Sequence, residues 1–237
     1  MRVIRFEVEG QINSFRVSFF RTYQKSFLAP PKTTVIGMLC NISLKSQKEF
    51  FEILDREMIE VSVVIDSIGG RGKDLWSYKT IEKKNRGKSV IRRDRLYMPK
   101  YIIYLKIEDK RLYQEILESL KAPKSIPSLG LDDELITIGS VKEIELEVNK
   151  SNRIDSLFLD KGINYKAFIK DMSCAIELPI SNVTATKFRA FDKKGKRISR
   201  EITEEFRQVE FLNCEIEFQD EIKSFLDNEL NNRLVIY

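Results

Sequence analysis

Between Gly69 and Leu96 the chain sets Arg71, Lys73, Lys79, Lys83, Lys84, Arg86, Lys88, Arg92, Arg93 and Arg95 around Trp76 and Tyr78. Cations interleaved with rings suit unstacked single-stranded nucleic acid, because the charges hold phosphates while the rings stack on bases. These 28 residues carry ten basic against three acidic side chains, a net +7, whereas the whole chain is only +5 and the rest is therefore net −2. The basic character is thus local, as expected of a phosphate-binding element. The bland alternative is a solvated loop with no fixed partner, since charge runs are often only that.

A second stretch with chemical potential is Pro30-Pro31-Lys32-Thr33-Thr34-Val35-Ile36-Gly37-Met38-Leu39. The prolines can end a loop but cannot sit inside a helix, so the sequence predicts a helix that begins here with Thr33 and Thr34 capping its first turn. Free backbone N–H groups and the positive end of the helix dipole attract phosphate at such a start, and Lys32 stands beside it.

Other chemistry is excluded or left without support. The chain has no histidine, which removes Ser-His-Asp and Cys-His catalysis, imidazole general bases and His-based metal sites together. Cys40, Cys174 and Cys214 are widely spaced and form no C-x-x-C, so neither a disulfide framework nor a thiolate zinc site is indicated, and they read as buried small hydrophobes. The cluster Asp132-Asp133-Glu134 near a glycine turn reads as a solvated loop rather than a metal site. No cofactor or metal is expected. No apolar run approaches the ~18 residues of a membrane span, and Glu7 and Glu9 interrupt the place where a signal peptide would need an apolar stretch. The expectation is a globular cytoplasmic protein with no membrane partner, its 42% hydrophobic content supplying a core.

The elements that must position these residues follow from the apolar period. Met1 to Glu9 alternates as a strand, Thr33 to Ile42 has helical spacing, and Ser46 with Glu49 forms a capping box before Phe50, Phe51, Ile53 and Leu54. Ile59 to Ile65 and Tyr101 to Ile107 read as strands, Leu112, Ile116, Leu117 and Leu120 share a helical face ended by Pro123, and Ile136 to Val148 supplies a fourth strand. Strand, helix, strand, strand, helix, strand is the α+β, ferredoxin-like βαββαβ order, with helices on one sheet face and the other face free for nucleic acid, as in RNA-recognition modules. The predicted organisation is a ferredoxin-like RNA-binding domain over 1–148, with the basic insertion at 69–96 as an extended hairpin between its second and third strands. A smaller β-rich part follows over 149–237: strands at Ala175 to Leu178, Val183 to Phe191, Arg197 to Ile202, Phe206 to Phe218 and Leu234 to Tyr237, and a hairpin turn at Lys193 to Lys196. A connection as long as 69–96 inside a compact domain is usually functional or disordered. Gly69-Gly70 and Gly87 read as the hairpin's base and tip.

Phe15-Arg16 after the first strand, then Pro-Pro-x-Thr-Thr-x-x-Gly-x-Leu, resembles the N-terminal signature of the CRISPR-associated Cas-five family of the RAMP superfamily. The basic insertion resembles that family's thumb, and Pro127-Ser128-Leu129-Gly130 its short Leu-Gly turn. The resemblance covers about the first 140 residues. It implies a guide-RNA-binding subunit of type I Cascade in antiviral defence, which grips the 5′ handle and caps one end of the backbone. The implied partners are the guide RNA, the Cascade backbone subunit and the large subunit, with contact to target DNA near the PAM left open. The implied RNA-binding residues are Ser14, Phe15, Arg16, Tyr23, Lys25, Ser26, Lys32, Thr33 and Thr34 at the N-terminal signature and Trp76, Lys79, Arg86, Lys88, Arg92, Arg93 and Arg95 in the thumb. Two features depart from the wider group. The C-terminal part has only isolated Gly162 and Gly195 where RAMP proteins often carry a glycine-rich loop, and the type I-C branch cuts precursor with Tyr, Lys and His, of which this chain lacks the His. A non-catalytic branch, type I-B, is the better match.

Two other functions fit the residues. One is a metal-independent ribonuclease in which Tyr23 activates a 2′-hydroxyl and Lys25 steadies the phosphate. The other is a ferredoxin-like protein-interaction module whose basic insertion is a docking arm. The missing histidine generates a test: with a repeat-containing transcript in EDTA, the purified chain is expected to leave the RNA intact. Cleavage at one fixed position, abolished by Tyr23→Phe or Lys25→Ala, would establish the ribonuclease instead.

Overall fold

The computed structural model describes residues 1–17, 23–80, 87–160, 165–168, 182–185, 188–191, 197–202, 208–211 and 215–237. Its centre is an antiparallel sheet of β1 (Arg2–Gly10), β2 (Ile59–Thr80), β3 (Gly87–Ile107) and β4 (Ile136–Glu145), in the order β4-β1-β3-β2. Register places Phe6 opposite Ile103, and Ile103 opposite Val63. Since side chains alternate across a strand, Ile4, Phe6, Val8, Val61, Val63, Tyr101, Ile103 and Leu105 share one face. That face packs on α1 (Lys32–Ile42), α2 (Gln47–Asp55) and α3 (Lys110–Lys121), forming the main core.

Each helix begins for a local reason. The Ser46 capping box is present: its Oγ accepts the Glu49 N–H at 3.3 Å and its own N–H donates to Glu49 Oε2 at 2.7 Å. Asp109 caps α3 by accepting the Leu112 N–H at 2.7 Å. The start of α1 corrects the sequence reading. Pro31 is the N-cap and no side chain caps it, so Thr33 and Thr34 lie within the first turn rather than ahead of it. The Lys32 N–H donates to the Tyr237 hydroxyl at 3.1 Å, a partner 205 positions away that no local pattern could announce.

The second face of the sheet was expected to be free, and the structure covers part of it. Val3, Val64 and Tyr104 on that face cluster with Leu146, Leu234 and Ile236. Past Glu145 the chain leaves the central sheet: Glu147–Ser151 (β5) pairs with Ile222–Asp227 (β6), which pairs with Asn232–Leu234 (β7). The fourth strand therefore ends earlier than the expected Val148, because Leu146 turns into the apolar cluster. Arg5 explains why this cover is needed. Its alternation puts a guanidinium on the second face, only 4% exposed, where it donates to Asp227 at 2.6 Å and Glu229 at 2.7 Å. Tyr104 Oη also donates to Asp227, at 2.9 Å.

The outer edge of β2 is sealed as well: Val61 and Tyr237 exchange N–H···O bonds of 2.9 and 3.1 Å, and Leu157 N–H donates to Val63 at 3.3 Å. The Tyr237 ring is 1% exposed and packs against Phe158 with centroids 5.3 Å apart. Residues on both sides of position 148 thus share the same apolar clusters. Among the described C-terminal residues, Phe188–Phe191 pairs with Arg197–Ile202, while the turn expected at 193–196 and the strand expected at 175–178 lie outside them. Cys174 and Cys214 also lie outside, whereas Cys40 is buried, which pushes its thiol up to about 12. No helix among the described residues is long and apolar enough to cross a membrane.

The 69–96 insertion is not a separate hairpin set on a loop. β2 and β3 run on through it with cross-strand pairs from Ile59 opposite Ile107 to Thr80 opposite Gly87, a single ribbon of 22 and 21 residues. Gly72 earns its place in the pleat rather than at a turn, since a Cβ there would stand 2.7 Å from the Tyr97 ring.

The buried charge on the second face sets a stability test. Asp227→Ala, which leaves Arg5 charged and enclosed, is expected to lower unfolding free energy by about 3 kcal/mol. Glu229→Ala, at a side chain 51% exposed, is expected to change it little. Urea denaturation of the two variants compares them, and equal small shifts would show that Asp227 does not hold Arg5.

Candidate nucleic-acid interface

The ribbon's register sorts its side chains onto two faces. Gly72, Asp74, Trp76 and Tyr78 alternate onto one face, opposite Arg95, Arg93, Ile91 and Ser89 of β3. Arg71, Lys73, Leu75 and Lys79 take the other, opposite Leu96, Asp94, Arg92 and Lys88. The sequence suggested one mixed surface of rings and cations, but period-two geometry divides them.

On the first face Asp74 organises the charges. It accepts Arg93 Nε at 2.9 Å and Arg93 Nη2 at 2.7 Å, a bidentate pair, and Arg95 Nε at 3.1 Å. The hydrogen bonds from Arg93, then those from Arg95, hold its carboxyl below the usual carboxylate range despite partial burial. Arg93 lies 4.6 Å over the Trp76 ring, and Trp76 and Tyr78 sit with centroids 6.0 Å apart at 38°. Both rings remain exposed, at 44% and 37%. Arg93 and Arg95 are themselves buried, at 9% and 6%, so these two predicted RNA contacts serve first as internal ties.

The ribbon is rooted in the body by Glu134. This carboxylate is 3% exposed, ion-pairs with Arg95, and accepts the Ser14 N–H at 2.8 Å, the Ser14 hydroxyl at 2.6 Å and the Leu131 N–H at 3.0 Å. Asn13 Nδ2 donates to the Leu129 carbonyl at 2.7 Å beside it. Gly130, at φ +114, makes the close approach possible: a Cβ there would lie 2.0 Å from Glu134 Oε2 and 2.5 Å from the Ser14 carbonyl. Asp132 and Asp133 are exposed as expected of a solvated loop, but Glu134 is not, and that reading is corrected for it.

The second face carries cations without such ties. Lys73, Lys79, Lys88 and Arg92 are exposed, and among the described residues no carboxylate lies within ion-pair distance of them. Arg92 stands 5.9 Å over the Tyr23 ring, because Tyr23–Gln24 pairs in parallel with Arg92–Arg93. This brings Tyr23 to the ribbon, as Arg95 Nη1 brings Ser14 by donating to its hydroxyl at 3.2 Å. Arg16 is exposed on the short strand Phe15–Arg16, and Arg86 lies outside the described residues.

The rest of the N-terminal set is packed inward. Phe15 is 1% exposed and meets Tyr101 edge-on at 5.8 Å. Ser26 Oγ accepts the Phe15 N–H and donates to the Phe27 carbonyl, both at 2.7 Å. Lys25 is 6% exposed. Lys32 is 2% exposed and its Nζ donates to the Tyr237 main-chain oxygen at 3.2 Å, so it does not stand beside an open helix start. Thr33 and Thr34 line a cavity of about 660 Å³ with Asn41, Ser128 and Asp132, whose carboxylate opposes phosphate there. Sequence reasoning missed Asp74 and Glu134, counting one as a charge offset and the other as loop. Their signal was positional, visible only once β3 is aligned with β2.

The family described as CRISPR-associated protein (Cas_Cas5) matches this chain over residues 3–198. No curated protein matches it. A solved chain from a "CRISPR RNA-guided surveillance complex" is 15% identical, with 91% of each chain covered and a TM-score of 0.53, a likeness of fold. A CRISPR protein from Archaeoglobus fulgidus is 11% identical over 100% of this chain and 98% of that one, with a TM-score of 0.49. A chain of the Type III-B Cmr-beta complex bound to cognate target RNA is 13% identical, covering 92% and 86%, with a TM-score of 0.42.

The Glu134 root is tested through glycine. Gly130→Ala is expected to destabilise the chain by more than ~1 kcal/mol, since it adds a clash to a positive φ. Gly139→Ala, where a Cβ meets nothing within 4 Å, is the control and is expected to be neutral or mildly stabilising. Equal denaturation midpoints would show that the turn does not need its glycine.

Proposed function

The chain belongs to the CRISPR-associated Cas-five family, and we propose that it serves a type I Cascade surveillance complex as the non-catalytic subunit that holds the 5′ handle of the guide RNA. The observation that carries this reading is the ribbon: a tilted Trp76–Tyr78 pair on one face and, on the other, the exposed Lys73, Lys79, Lys88 and Arg92, none of them within ion-pair distance of a carboxylate among the described residues. A strand crossing the edge of the ribbon would stack an unpaired base on the rings of one face while its backbone meets the cations of the other. The buried Glu134 root favours this use, since a clamp must be held at a fixed angle to grip.

The strand order β4-β1-β3-β2 supports reading the central module as ferredoxin-like. Absence of histidine supports a branch that binds without cutting, type I-B being the match we propose. A backbone subunit and a large subunit are the protein partners proposed with it, in the cytoplasm, in antiviral defence.

The test is to shorten the ribbon above its root. Removing Leu75 to Arg92 and joining Asp74 to Arg93 by an Asn-Gly turn keeps the Asp74–Arg93 pair and deletes both rings. Handle affinity is expected to fall, and the slope of log affinity against log salt to flatten by ~0.7 per lost phosphate contact. An unchanged slope would show that the ribbon does not hold RNA.

A further inference from the structure

Asp74 is an acid placed where a polyanion would bind. Its neighbours form a continuous run of contacts from the body to the rings: buried Glu134 to Arg95, Arg95 to Asp74 at 3.1 Å, Asp74 to both Nε and Nη2 of Arg93, Arg93 over Trp76 at 4.6 Å, and Trp76 beside Tyr78. Each step removes a freedom that the next would otherwise keep. A side chain like Trp76, 44% exposed on a two-stranded ribbon, has several rotamers open to it. A guanidinium lying over one ring face selects among them. That guanidinium ends a long flexible side chain, and only a bidentate carboxylate fixes its plane. Asp74 supplies it.

We infer that Asp74 is a positioning residue for RNA binding: it sets the plane of Arg93, and through Arg93 it orients the Trp76–Tyr78 pair that receives the unpaired base. The inference rests on the handle-binding reading and deepens it. One face of Trp76 is already occupied by Arg93, so the base is received on the remaining ring surface. Between Trp76 and Tyr78 the 6.0 Å centroid separation leaves no room for an inserted base, which needs ~7 Å between flanking rings, twice the contact distance of stacked carbons.

Electrostatics and positioning predict opposite signs here. Asp74→Ala adds one unit of positive charge to the ribbon, so Coulomb attraction alone would tighten RNA binding. Loss of orientation would weaken it. Affinity is measured by fluorescence anisotropy with labelled, repeat-derived 5′ handle RNA. Acrylamide quenching of the free protein reports on the same site, because Trp76 is the sole tryptophan of the chain. Asp74→Ala is expected to raise Trp76 quenching and to lower affinity about tenfold, the lower end of one stacked base. In a Trp76→Ala background the same substitution is expected to leave affinity equal or tighter, since no ring remains to orient. Should Asp74→Ala unfold, Arg93→Lys keeps the charge and an ion pair but not the flat guanidinium, and the same loss of affinity is expected. Unchanged or tighter binding by folded Asp74→Ala, or a full loss that persists without Trp76, overturns the positioning role. Failure of the parent protein to bind handle RNA overturns the handle reading instead, a result that the parent's own titration separates from the first.

Discussion

A carboxylate as deeply enclosed as Glu134 has to be neutralised, because an unpaired buried charge costs several kcal/mol. Two of its partners come from parts of the chain that are distant in sequence, Ser14 after the first strand and Arg95 on the ribbon, and the Leu131 amide after the Leu-Gly turn joins them from three positions away. Each must stay where it is for the carboxylate to remain satisfied. The consequence is mechanical as well as energetic. A long two-stranded ribbon is weak alone in water, since it buries little on either face. Here its lower third is fixed by an ion pair that the body cannot give up, and Asp74 extends that hold to the level of Trp76.

The second buried charge determines which sheet face is covered. Arg5 turns the sheet face that RNA-recognition modules leave open into one that must be lidded by carboxylates, and Asp227 on β6 answers it. Further along the same face β1 presents Glu7 and Glu9, which repel phosphate. The start of α1 is closed too, by the Tyr237 hydroxyl and a buried Lys32. With these surfaces closed or of the wrong sign, the ribbon is left as the element with concentrated positive charge among the described residues of positions 1–148. Charge distribution and occlusion therefore point to the same element independently.

What could be read from the sequence divides along a physical line. Local rules succeeded: the Ser46 capping box, the α3 face of Leu112, Ile116, Leu117 and Leu120, and the strand alternation all depend on neighbours a few positions away. The basic insertion was legible as charge density. What escaped depends on pairing across large separations. Thr33 and Thr34 read as caps because their type favours it, yet the first helical amide bonds to Tyr237. The alternation of Met1 to Glu9 could not show that Arg5 is buried, because its carboxylate lies 222 positions away. Asp74 counted only as one unit subtracted from a sum until the β2–β3 register set it opposite Arg93.

That register also changes what the basic run means. Ten cations in one insertion suggest ten equivalent contacts, but Arg93 and Arg95 have geometrically demanding partners whereas Lys73, Lys79 and Lys88 have exposed ammonium groups with no carboxylate in ion-pair reach among the described residues. A flexible ammonium in water meets phosphate without regard to angle, and salt screens it. A guanidinium held in plane against a ring contributes shape, which salt affects far less. On the proposed handle-binding reading, the two faces of one ribbon divide the work of recognition: the exposed lysines would set how strongly a strand is attracted, and the tied arginines, by fixing the rings, would set how it must lie once it arrives.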